Sequence, residues 1–222
     1  MAGIGVRLNR IFEKNTLTTN LVGFFYSTVV TVAPMFVIII NLILMEYLLD
    51  FASVGYVTRE LFSCTILYTF IFSLLTASPF NAVLSRYMSD VIYEERYQDI
   101  LPCYHIGMLL NIGLSCLLGI PFCLWEHFVG KVPTAYVFCG FCGYISLVLV
   151  FYSMIYLSIC KDYQRISQYF FFGMLVAFVL ALILHFILKW ETTWSMLFSL
   201  TIGFFCDGNA GKCADPPVFC AK

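Results

Sequence analysis

Leu21-Val-Gly-Phe-Phe-Tyr-Ser-Thr-Val-Val-Thr-Val-Ala-Pro-Met-Phe-Val-Ile-Ile-Ile-Asn-Leu-Ile-Leu-Met45 runs for 25 residues without a charge. A helix crossing the hydrocarbon core of a bilayer needs about 20 apolar residues. This stretch alone therefore predicts a membrane span. Pro34 lies inside it, where the missing backbone donor predicts a helix kink. In front stand residues 1–20, which read as a cytoplasmic amphipathic lead-in. Arg7, Arg10 and Lys14 there face a single Glu13, and Ile4, Leu8, Ile11 and Phe12 fall near helical spacing. The apolar run exceeds the roughly 7–15 residues of a signal-peptide core, and no small-residue cleavage site clearly follows it. It reads as a retained anchor.

Downstream the pattern repeats. Apolar runs are expected as spans at about 61–84, 101–124, 135–159 and 166–188, with a shortened sixth at 195–205. Glu46–Glu60, Arg86–Asp99, Trp125–Thr134, Lys161–Arg165 and Lys189–Trp194 separate them. Trp125, Trp190 and Trp194 sit at the edges, as interfacial aromatics do. The whole chain agrees. It is 61% hydrophobic and 11% charged, with a mean hydropathy of +0.91. A soluble domain is roughly 45–50% apolar and about 25% charged, and it could not bury this excess. The expected fold is an all-α integral membrane protein with about six transmembrane helices over residues 21–205. A net charge of −1 gives no basic field for nucleic acid.

Lys and Arg set the expected orientation. With the N-terminus in the cytoplasm, Arg7, Arg10, Lys14, Arg86, Arg96, Lys161, Arg165, Lys212 and Lys222 lie inside. Arg59, Lys131 and Lys189 lie outside. That asymmetry favours an N-in chain under the positive-inside rule.

Catalytic signatures are absent. There is no H-E-x-x-H, G-x-S-x-G, Walker A loop or G-x-G-x-x-G. His105, His127 and His185 stand singly. Seven of the ten cysteines lie in or beside apolar runs, where a thiol behaves as a small hydrophobe. Cys139 and Cys142 form one C-x-x-C, but zinc needs two further ligands, and neither a metal nor a cofactor is expected. A membrane-embedded lipid or sugar transferase would show clustered interfacial carboxylates or histidines. The one carboxylate cluster is Asp90, Glu94, Glu95 and Asp99, interleaved with Arg86 and Arg96. Arg86, Asp90 and Glu94 follow at i, i+4 and i+8 on one helix face, which suits supporting ion pairs. Within the spans Asn41, Asn81 and Asn111 are the notable polar residues, suited to hydrogen bonds between helices. A proton- or sodium-coupled pump normally needs a buried carboxylate, and the expected spans contain none. Ala177-x3-Ala181 and Ser27-x3-Thr31 fit close helix packing through small residues.

Three segments carry a resemblance. Met1-Ala-Gly-Ile-Gly-Val-Arg-Leu, with the charged lead-in to a Pro34-containing span, resembles the start of the PelG family. Leu84-Ser-Arg-Tyr-Met-Ser-Asp-Val-Ile-Tyr-Glu-Glu-Arg-Tyr, followed by Ile100-Leu-Pro, resembles that family's loop after the second span. Leu157-Ser-Ile-Cys-Lys-Asp-Tyr163 is the third match. The resemblance implies one six-helix lobe of a fold like that of the multidrug/oligosaccharidyl-lipid/polysaccharide exporters, in which two such bundles surround a cavity. It also implies export of a Pel-type, amino-sugar-rich exopolysaccharide across the bacterial inner membrane in biofilm formation. The implied partners are a cytoplasmic glycosyltransferase and membrane subunits, one of which senses cyclic di-GMP. Arg86, Asp90, Tyr93, Glu94 and Glu95, with Lys161, Asp162 and Tyr163, match the family pattern. They are expected to dock the glycosyltransferase or shape the cytoplasmic mouth. Family members are roughly twice as long, and residues 206–222 change character, with Cys206, Cys213 and Cys220 every seven residues among turn formers. That tail reads as a truncation or frameshift. A non-transporting scaffold or remnant of the same complex is the alternative.

Overall fold

The computed structural model describes residues 36–94, 100–159 and 163–210. Within them the chain forms six α-helices and no strand. They are α1 (Phe36–Leu48), α2 (Tyr56–Tyr93), α3 (Ile100–Phe128), α4 (Thr134–Ile159), α5 (Tyr163–Phe186) and α6 (Thr192–Ala210). Lipid offers no partner for a bare N–H or C=O, so a spanning segment must satisfy its backbone internally, as a helix does. That constraint carries α2 and α3 through Pro79 and Pro121.

Three of the helices are long and apolar enough to cross a membrane, over Tyr56–Val91, Pro102–Phe128 and Thr134–Met154. Phe36–Leu48 and Phe170–Phe186 are shorter apolar helices. The all-helical membrane fold expected from composition is the fold found. The expected kink at Pro34 and the first 15 residues of the first span lie outside the described residues, as does Ser27-x3-Thr31.

Helix α4 is the axis of the bundle. Half of its span is buried, against 22% of the span in α2 and 11% of that in α3. α2 and α3 flank one side of it, and α6, paired with α5, the other. The main core joins Met45 and Leu49 of α1, Phe62 of α2, Leu147 of α4, Met174 and Ala177 of α5, and Leu200 and Phe204 of α6. α5 and α6 pack most extensively of all pairs. Small residues allow this. A Cβ added at Gly203 would lie 2.7 Å from Ala177 Cβ and 2.9 Å from the Gly173 carbonyl oxygen. Ala177 and Ala181 are wholly buried in this seam, as the small-residue spacing predicts.

The connections are shorter than expected. Glu46–Glu60, read as one loop, is mostly helical: α1 runs to Leu48 and α2 starts at Tyr56, with a 3-10 turn Phe51–Ser53 between. The Ser53 hydroxyl donates to the Asp50 carbonyl at 2.7 Å. Asp50, Lys131 and Lys189 adopt positive φ angles of 49°, 52° and 52°. They stand in the α1–α2, α3–α4 and α5–α6 connections, which share one end of the bundle. At the same end the Thr192 hydroxyl reaches the Leu49 carbonyl at 3.4 Å.

The last helix also differs. The Cys206-Asp-Gly sequence suggested a stop after Phe205, yet α6 continues to Ala210. Gly208 costs about 1 kcal/mol of helix propensity, which packing against a partner helix offsets. No proline interrupts before Pro216.

Candidate functional site

The first part of the charged stretch, Arg86 to Tyr93, is the end of α2. At about 1.5 Å per residue, its 38 residues span about 57 Å, well beyond a hydrocarbon core of about 30 Å. One face of its last turns is apolar and fixed. Leu84, Met88 and Val91, at i, i+4 and i+7, are buried against Tyr104 of α3 and Tyr152 of α4.

Those two tyrosines build the support. Their rings stack with centroids 5.3 Å apart and planes 19° apart. The Tyr152 hydroxyl donates to the Tyr104 carbonyl at 3.3 Å, and the hydroxyls of Tyr104 and Ser153 share a 2.8 Å hydrogen bond. Gly107 makes the room, since a methyl there would collide with the Tyr152 phenol. On the opposite face of α2 Arg86, Asp90, Tyr93 and Glu94 are exposed, Tyr93 at 89%.

The structure thus gathers four of the expected site residues on one projecting helix end. Tyr163 opens α5 at the same end of the bundle. Glu95, Lys161 and Asp162 lie outside the described residues. What the arrangement offers is a rigid, mixed-charge ledge with an exposed phenol, suited to protein contact. Among the described residues no three His, Cys, Asp or Glu side chains stand together as a metal centre requires. Cys139 instead contacts the Thr201 hydroxyl at 3.7 Å.

At the other end a cavity of about 250 Å³ opens between α2, α3 and α4. Tyr68, Phe72, Phe122, Tyr136 and Phe141 line it, with Glu126 at its edge. Three of its lining hydroxyls, those of Thr65, Tyr136 and Tyr144, are engaged within the bundle. Thr65 donates to the Leu61 carbonyl at 2.7 Å, and Thr76 and Tyr144 share a 2.8 Å bond.

The three asparagines fare differently from one another. Asn41 is buried and donates through Nδ2 to the Met174 carbonyl of α5 at 2.7 Å, the interhelical bond expected of it. Its Oδ1 has no partner. Asn81 is half-buried, and its Oδ1 is likewise unpaired. Asn111 is wholly buried with neither amide atom hydrogen-bonded.

One buried carboxylate was missed by the sequence reading. Asp207, assigned to the polar tail, lies on α6 and is 7% exposed, with both oxygens unpaired. The expectation that the helices contain no buried carboxylate is therefore corrected. The signal was helical register. Gly203 and Asp207 are four apart on α6, and both press on Gly173 of α5.

A family model named PelG, described as "Putative exopolysaccharide Exporter (EPS-E)", matches residues 1–207. No curated protein and no solved structure matches the chain.

Proposed function

Since this chain belongs to the PelG family of exopolysaccharide exporters, we propose that it serves in the membrane as part of the exporter for a Pel-type, amino-sugar-rich polysaccharide. The family is one of exporters, not of enzymes. The single observation that carries a role for this chain is the α2 ledge. Leu84, Met88 and Val91 spend their burial on holding it, while Arg86, Asp90 and Tyr93 face outward. A charged, rigidly mounted helix end in an otherwise apolar bundle is what a cytoplasmic partner can grip. In this reading the glycosyltransferase that supplies the polymer docks there, beside the junction at Lys161, Asp162 and Tyr163.

The test is charge reversal. Arg86→Glu with Asp90→Arg leaves the buried face of α2 untouched, so the protein should still reach the membrane in normal amount. Misplaced charges at an interface cost several kcal/mol. Capture of the glycosyltransferase from detergent extracts is expected to fall by about tenfold or more, and secreted polymer with it. Normal polymer secretion by the double variant would sink the docking assignment. Capture of the glycosyltransferase by the wild-type chain, without rescue of secretion in a strain lacking the exporter, would favour the scaffold reading instead.

A further inference from the structure

Asp207 is the one carboxylate buried within the described bundle. Its surroundings are apolar: Phe170, Met174 and Ala177 of α5 and Phe204 of α6 are each no more than 3% exposed. The carboxylate lies directly over the backbone of α5, where a methyl at Gly173 would strike it. The Gly173 amide lies near it, but no hydrogen bond of good geometry reaches either oxygen. An ionised carboxylate in such a place costs far more than the bundle can supply, so the group must be neutral or must hold a cation.

Among the described side chains none offers it a counter-ion. α4 carries no charged residue, and α2 carries none from Leu61 to Ser85. α5 has Arg165 two turns nearer its start than Gly173, Tyr169 one turn away, and His185 near its far end. α1 has Glu46 near its far end. Along α6 the neighbouring titratable group is the Cys206 thiol. A metal cation is also poorly served. Hard cations take about six or more oxygens, and the other unpaired oxygen at this turn of α5 is Asn41 Oδ1, whose amide grips Met174.

We infer that Asp207 is a proton-binding site: the neutral carboxylic acid closes the α5–α6 seam, and release of its proton loosens that end of the bundle. The site does not depend on what the protein exports. Ionisable groups buried among apolar helices are costly and are kept where a proton or charge must move.

The experiment uses the full chain in liposomes and dicyclohexylcarbodiimide, which modifies protonated carboxyl groups in apolar surroundings. Adducts are mapped by mass spectrometry across a pH series, with exposed Glu46 and Glu60 as internal controls. Asp207 should be labelled at neutral pH while the two controls are not. Above its midpoint the labelling should fall by about tenfold per pH unit and be indifferent to sodium. In parallel, Asp207→Asn should remove the loss of thermal stability that the wild-type chain shows as pH rises. Absence of an Asp207 adduct at every pH, or labelling that does not change with pH, would overturn the proton site. Suppression of labelling by sodium at fixed pH would replace it with a sodium site. If the Asn variant fails to fold, labelling of the wild-type chain still decides. None of these readouts needs polymer export, so the inference fails or stands apart from the exporter reading.

Discussion

At the scale of single residues, the buried polar groups divide into those with a partner and those without. Asn41 links α1 to α5 through the Met174 carbonyl. Asn111 has 0% exposure and no hydrogen bond to either amide atom. An unpaired buried amide costs roughly 1–3 kcal/mol. Asn111→Leu keeps nearly the same volume and removes that cost, so it should leave thermal stability unchanged or raise it. Asn41→Leu deletes a made bond and leaves the rest of α1 in place, so it should lower stability by about 0.5–1.5 kcal/mol. The pair is measured by thermal unfolding in one detergent. A larger loss at Asn111 than at Asn41 would show that Asn111 holds a partner of its own. Composition and spacing marked both asparagines as alike. What separates them is whether a carbonyl of a neighbouring helix comes within reach, and that depends on how the helices pack.

At the scale of elements, the small-residue seam between α5 and α6 gives the sharpest test. Gly203 faces the α5 backbone, with the Gly173 carbonyl oxygen 2.9 Å from an added Cβ. Backbone cannot swing aside as a side chain can. Gly203→Leu should therefore cost at least about 1–3 kcal/mol through overpacking, and protease should cut the α5–α6 connection in the variant under conditions that spare the wild type. Leucine at Gly113, where nothing lies within 4 Å, should have little effect and serves as the control. Apolar runs in the sequence located α3, α4 and α5 to within about four residues at each end, because a run of uncharged residues is itself the physical requirement for crossing lipid. Ends were less legible. Arg86 and Asp90 read in the sequence as sharing one helix face, but within a stretch that separates two spans; Leu84, Met88 and Val91 recur at helical spacing and carry α2 on unbroken for two more turns. Asp207 looked like a terminator, yet α6 runs on because α5 continues beside it. In both cases packing across helices overrode local composition, and a run of hydrophobicity cannot encode that. The ledge residues were legible by motif, whereas the buried carboxylate required the helix register that only the fold supplies.

At the scale of the whole molecule, the two ends of the bundle are unlike. One end carries the short connections around Asp50, Lys131 and Lys189, each with a non-glycine residue at positive φ. The other carries the projecting end of α2 with Arg86 and Asp90, and the starts of α3 and α5. Arg59 in the first turn of α2, with Lys131 and Lys189 in the connections, belongs to the first end, while Arg86, Arg96, Lys161 and Arg165 belong to the second by sequence. Cytoplasmic segments keep the excess of Lys and Arg because cations cross the membrane least readily during insertion. The ledge should therefore face the cytoplasm, where a glycosyltransferase could meet it. Alkaline phosphatase, active only outside the cytoplasm, reads this directly when fused at successive points. Fusions after Lys131 and Lys189 should be active, and fusions after Arg96 and Arg165 inactive, with all four produced in similar amount. The reverse pattern would place Arg86 and Asp90 outside and exclude a cytoplasmic partner at that ledge, whatever the charge-reversal variant does to export. Lys131 and Lys189 sharpen the measurement, because Lys131→Gly with Lys189→Gly removes two of the three outer cations and relieves about 1–2 kcal/mol of backbone strain at each site. That variant should insert in the same orientation and unfold at a higher temperature. Loss of a uniform orientation in it would mean that the two lysines are needed at that end to hold the connections, and that the positive-inside asymmetry is not what orients this chain.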